Sequence, residues 1–156
     1  MIITIRTDAS TAIGTGHVMR CLTIAGVLRD KGASVSFICR EHEGHLCNII
    51  EERGFALHRL SKGADPAPPS SASNPYHAPW LGVSWEVDAA DTAGIISAML
   101  VKPDWLIVDH YALDEHWEGE LRSCVHRIFV IDDLADRVHD CDLLLGQNLI
   151  TGMETR

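Results

Sequence analysis

Six short apolar runs separated by stretches of helical periodicity constrain this chain more than any other feature. They are IITI (2–5), SVSFIC (34–39), FALHRL (55–60), WLIVD (105–109), RIFVIDD (127–133) and DLLL (142–145). The first and fourth have no polar alternation, the pattern of strands buried on both faces. After the first, Val18, Cys21, Leu22, Ala25 and Leu28 recur at helical spacing. Gly32 is placed to stop that helix, and Arg29 and Lys31 suit the negative end of its dipole. Leu46, Ile49 and Ile50 mark a short helix ending near Gly54. A longer helix is predicted from Val87 to Val101, ahead of Pro103, and another from Leu113 to Leu121. Strands alternating with helices predict a parallel sheet covered on both faces, a Rossmann-like α/β domain. The length, 156 residues, suits one such domain, and no internal repeat is visible.

The formal net charge of −9 argues against a broad nucleic-acid-binding face. An anionic ligand would need local compensation from backbone N–H groups or single arginines. No run is long and apolar enough to span a membrane, and no signal peptide opens the chain, so a cytoplasmic protein is expected. The 5 cysteines are odd in number, widely spaced and without a CxxC, which reads as free thiols. Residues 61–82 hold five of the 6 prolines and read as a loop.

The predicted strands end in reactive residue types. The first leads to Asp8, the fourth to Asp109, His110 and Tyr111, the fifth to Asp132 and Asp133, and the last to Gln147 and Asn148. In parallel α/β sheets ligands sit at the carboxyl ends of strands, so these positions are expected to converge on one cleft. Each also has a plainer reading as a helix cap or loop anchor.

The stretch DASTAIGTGHVMR (8–20) carries the sharpest local argument. Gly14 and Gly16 allow unusual backbone conformations and close ligand approach. His17 falls at the helix start, where free N–H groups favour an anion and the dipole favours a neutral imidazole. A neutral imidazole can accept a proton, as a general base must. A nearby carboxylate or phosphate would push the other way. Arg20, one turn on, can share a face with His17. The loop is no dinucleotide fingerprint, because Met19 stands at the third glycine and the turn is too long; nor is it a P-loop, since no Gly-Lys-Ser/Thr follows.

Other clusters say less. His42 and His45 have a metal-like spacing, but nothing completes a site. His58, His77, His116, His126 and His139 read most simply as surface residues. Asp132 and Asp133 fit either a divalent ion or the anchoring of a loop. Trp80, Trp85, Trp105 and Trp117 read as packing residues, although Trp80 and Trp85 flank the proline-rich loop and could line a cleft.

DASTAIGTGHVMRCLTIA, VDHYALD (108–114) and VIDDLADRVHDCDLLLGQN (130–148), in that order, resemble the UDP-sugar hydrolases of the pseudaminic acid pathway. Relatives of that family include spore-coat polysaccharide proteins, and its fold is like that of two-domain GT-B glycosyltransferases. The resemblance implies hydrolysis of UDP-2,4-diacetamido-2,4,6-trideoxy-β-L-altropyranose at the anomeric carbon, with inversion, without a cofactor or an essential metal. It implies His17 as base or water-orienting group. Asp8, Gly14 and Gly16 would shape the loop around sugar and diphosphate, with Arg20 beside them. Asp109, His110 and Tyr111 would line the sugar side, and Asn148 would stand at the interdomain cleft. The sequence departs from the family at Gly146, where an aspartate is usual, and in length. Residues 1–148 correspond to the N-terminal, sugar-side domain and 149–156 to the start of a linker. The family's C-terminal domain, which carries most uridine and diphosphate contacts, has no counterpart here. Little turnover by the chain alone, and self-association through the face that domain would cover, are therefore expected. A glycosyltransferase half and a non-catalytic partner-binding module are the competing readings.

Overall fold

The computed structural model describes residues 1–63 and 74–146. Among these, the elements run β1 (Ile2–Thr7), α1 (Gly16–Asp30), β2 (Ser34–Arg40), α2 (Cys47–Glu52), β3 (Ala56–Leu60), a 3-10 turn (Ala78–Leu81), α3 (Trp85–Ser97), β4 (Trp105–Asp109), α4 (Glu115–Leu121), β5 (Arg127–Ile131) and β6 (Leu143–Leu145). The strands form one sheet in the order β3-β2-β1-β4-β5-β6, every pairing parallel. This is the Rossmann-like α/β architecture expected from the alternation.

Alternation along the strands divides the core in two. Ile3, Ile5, Phe37 and Ile131 pack with Val18, Cys21, Leu22 and Ala25 of α1 on one face. Leu106, Val108, Ile128 and Val130 pack with Ala89 and Ile96 of α3 and with Trp117 and Leu121 of α4 on the other. The helix stops are built as their glycines predict. Gly32 (φ +90°) and Gly54 (φ +80°) follow α1 and α2. Behind them the Ala33 and Phe55 N–H groups reach back to the Leu28 and Ile50 carbonyls. That six-to-one closure needs a left-handed residue, which glycine supplies without strain.

Several boundaries differ from the sequence reading, each for a local reason. Helix α3 begins two residues before Val87, because Ser84 caps it and its Oγ accepts from the Val87 N–H. It ends before Val101, because at Ala98 and Met99 the bonding tightens toward three-residue spacing, leaving Leu100 and Val101 exposed. Strand β5 stops at Ile131, where the Asp132 carboxylate takes the Leu134 and Ala135 N–H groups and turns the chain out of the sheet. The apolar DLLL segment does pair with β5, but Leu143, Leu144 and Leu145 are exposed at the sheet edge rather than buried.

Candidate active site

The strand order reverses between β1 and β4. The chain leaves β1 toward α1 on one face and leaves β4 toward α4 on the other. A crevice opens at the carboxyl ends of such strands. Thr7 and Asp109 are register neighbours there, so the β1–α1 loop and the end of β4 start side by side.

The loop from Asp8 to Thr15 is tied down along its length. Ser10 and Gly14 form a bridge, with the Gly14 N–H on the Ser10 carbonyl at 2.8 Å. Ser10 Oγ accepts from the Ala12 and Ile13 N–H groups. The Thr11 N–H donates to the Glu43 carbonyl at 3.0 Å. Gly14 has φ +80°, so here glycine is needed for its conformation; Gly16 has an ordinary backbone and faces open space. Thr15 precedes α1 without a capping side chain, which leaves first-turn N–H groups unpaired by the helix.

His17 and Arg20 both reach the buried carboxylate of Asp109. His17 Nδ1 lies 2.6 Å from Asp109 Oδ1. Arg20 grips the same carboxylate with Nε on Oδ2 at 2.6 Å and Nη2 on Oδ1 at 2.7 Å. Burial pushes the Asp109 carboxyl up, but the hydrogen bonds from Arg20 and His17 outweigh it and hold it below the usual carboxylate range. Being ionised, Asp109 accepts the Nδ1 proton and fixes the imidazole tautomer. His17 Nε2 is then the acceptor; among the described residues it has no partner, and the side chain keeps 8% exposure. The opposing carboxylate that the sequence left open is thus present, directly behind the histidine.

Tyr111 completes this wall. Its ring meets His17 edge-on, with centroids 4.4 Å apart, and its hydroxyl donates to Asp133 Oδ2 at 3.1 Å. Burial, and next the Asp133 carboxylate, push the Tyr111 phenol up, so it stays a donor. Arg20 Nη1 also bonds Asp133. His17, Arg20, Asp109 and Tyr111 therefore form one connected group.

The other expected site residues are placed differently. Asp8 is fully buried and His110 nearly so, behind the crevice wall. Asp8 accepts from Arg6 at 2.6 and 3.0 Å, from the Arg40 N–H at 2.7 Å and from His110 Nε2 at 3.1 Å. The other nitrogen of His110 accepts from the Ala112 N–H, which fixes His110 as neutral. Both residues bond the loops together from behind that wall. Asn148 lies outside the described residues, with Gln147. Asp132 and Asp133 do not act as a pair. Asp132 anchors its own loop, while Asp133 turns to Arg20 and Tyr111. His42 bonds Asp8 and His45 takes the Cys47 N–H, so the two histidines serve separate ends. Among the described residues no group of three or more His, Cys, Asp or Glu is arranged to hold a metal ion. The cysteines are free thiols.

Two histidines read as surface residues are partly buried and packed. His77 sits against Trp80, with centroids at 4.3 Å, and among the described residues its Nδ1 is buried without a partner. His139 is wedged between Glu118 Oε1 at 2.7 Å and Asp132 Oδ2 at 3.2 Å. Burial opposes its charged form, but the bond to Glu118, supported by Asp132, raises its pKa above the ordinary 6.5. A group raised on folding stabilises the protein fully below its unfolded pKa and loses that contribution as pH climbs through the folded value. We predict that the difference in unfolding free energy between wild type and His139→Gln is largest below about pH 6.5 and shrinks above it. Urea titrations across pH read this directly, and a difference that grows with pH would refute the charged wedge.

No known protein-family model matches the chain, and no curated protein matches it. Among solved structures the fold is similar to that of LpCGTa in complex with UDP, at a TM-score of 0.57 and 15% identity over 84% of this chain and 30% of that one. It is likewise similar to TcCGT1 in complex with UDP, at a TM-score of 0.55 and 13% identity over 83% of this chain and 28% of that one. At such identities the likeness is one of fold, and this chain spans less than a third of either protein.

Proposed function

We propose that this chain is the sugar-side half of a GT-B-like enzyme acting on a UDP-sugar, and that it hydrolyses the bond between the anomeric carbon and the UDP oxygen. In this reading residues 1–148 form the sugar-side domain, and a second, nucleotide-binding domain completes the cleft. The observation that carries the reading is the His17–Asp109 pair, with an accessible Nε2 at the switch point of the sheet. The three ordered motifs favour the pseudaminic-type 2,4-diacetamido sugar, and the two similar folds that hold UDP favour a uridine nucleotide.

In the proposed step a water oxygen attacks the anomeric carbon from the face opposite the leaving group. His17 Nε2 takes its proton as the new C–O bond forms. The old C–O bond breaks, and its electron pair leaves with the diphosphate of UDP. The resulting imidazolium is stabilised by Asp109, 2.6 Å from Nδ1. Charge on the substrate is met locally, by the N–H groups at the start of α1, rather than by the acidic surface as a whole or by Arg20, which Asp109 and Asp133 already hold. The same base could deprotonate an acceptor hydroxyl, which would make the chain a transferase half. Incubation with the UDP-sugar, with and without a supplied nucleotide-binding domain, separates the outcomes. Release of UDP with equal free sugar is expected. Sugar found on an acceptor would assign transfer, and no UDP release in either condition would leave a non-catalytic module.

A further inference from the structure

We propose that a second pocket, beside the His17 crevice, binds a pyranose ring, with Trp80 as its platform. The pocket has a volume of about 360 Å³ and is lined by Ser10, Thr11, Glu43, Lys62 and Trp80, among others. That volume is at the lower end of what small-molecule sites enclose and suits a single sugar ring. Its walls combine an aromatic surface with two hydroxyls, an ammonium and a carboxylate. A pyranose presents the matching chemistry, an apolar face of C–H groups and a rim of hydroxyls that both donate and accept.

The pocket is built rather than incidental. The 3-10 turn that carries Trp80 is seated on the sheet by its buried Leu81. Gly63 and Gly82 approach so closely that a Cβ at Gly63 would fall 1.9 Å from the Gly82 carbonyl oxygen. His42 closes on Gly82 from the other side, while its Nε2 is held by Asp8. On the facing wall, Ser10 and Thr11 are fixed by the loop bonds already described. Trp80 also stacks on Tyr111, at 6.2 Å and 25°, and Tyr111 meets His17. A ring bound at Trp80 is therefore one aromatic side chain away from the proposed base.

Identifying this pyranose with the sugar of the substrate rests on the function proposed above; binding of a pyranose does not. The test uses N-acetylglucosamine and glucose as probes, with saturation-transfer NMR on the whole chain. Wild type is expected to bind at least one of them at millimolar concentration. Trp80→Ala should weaken binding by about tenfold or more, while Trp80→Phe keeps most of it and Trp85→Ala, which lines a different pocket, keeps all. Thermal melting checks that Trp80→Ala is folded; should it not be, Trp80→Leu, which fills space without an aromatic face, takes its place. Equal binding by wild type and the folded non-aromatic variant, or no binding of either sugar by wild type, overturns the pocket even if UDP is released from the UDP-sugar. Absence of UDP release with binding intact would instead remove the hydrolase reading and leave the pocket standing.

Discussion

His17→Ala is expected to lower UDP release by about two to four orders of magnitude, the usual worth of a positioned general base. The fold should survive, because among the described residues the imidazole makes one side-chain bond, to Asp109, which Arg20 continues to hold by two. Asp109→Asn should be nearly as damaging. An amide that keeps its oxygen toward His17 must turn its NH2 toward Arg20, and the reverse placement faces a donor to His17 Nδ1 and reverses the tautomer. The two variants are separated by the pH–rate profile. Wild type should show an acid limb from protonation of the base, and His17→Ala should lack it. A turnover number within a factor of about three of wild type for His17→Ala would rule out the base assignment, since such a change is worth well under 1 kcal/mol.

Asp88→Ala is expected to be the most destabilising single change in the chain, by about 3–5 kcal/mol in urea unfolding. Asp88 is fully buried on α3. It accepts from Arg6 at 3.2 and 2.6 Å, from Arg40 at 3.3 and 2.8 Å, and from Trp117 Nε1 at 3.0 Å. Burial pushes its carboxyl up, but the Arg6 guanidinium more than offsets this, and the carboxyl lies below the usual range. Removing it leaves two buried guanidinium groups with one fewer carboxylate to balance them, which costs more than the pair itself was worth. Asp8 shares Arg6, so the loss should also loosen the loop that leads to His17. A loss below about 1 kcal/mol would mean that water or Asp91 replaces the missing carboxylate.

The contrast between these two residues shows what was legible in the sequence. His17, Arg20 and Asp109 stand at a helix start and a strand end, and both positions can be read from local periodicity. Their meeting follows from the general rule for parallel sheets. Arg6, just past the first apolar run, drew no reading from the sequence, and its partner Asp88 lies 82 residues away inside a predicted helix. No local pattern points from one to the other. His139 was read as a surface residue for the same reason, since its shorter bond is to Glu118 on a distant helix. The early end of α3 and the exposure of Leu143 to Leu145 escaped because apolar residues in sequence look alike whether or not a neighbour covers them. Trp80 was left between packing and cleft; its stacking on Tyr111 could only be seen once the turn was placed.

The register of β1 against β4 has one more consequence. Asp109 ends β4, and the loop that leads to His17 leaves β1 beside it, at the pairing of Thr7 with Asp109. Base and carboxylate are therefore anchored to neighbouring strands of one sheet, about 4.8 Å apart, with the base reaching back to Asp109 from the first turn of α1. In a two-lobed enzyme the lobes must part to admit substrate and release product. In the enzyme proposed above, that hinge motion would leave base and carboxylate together, because both belong to the same sheet-and-helix unit.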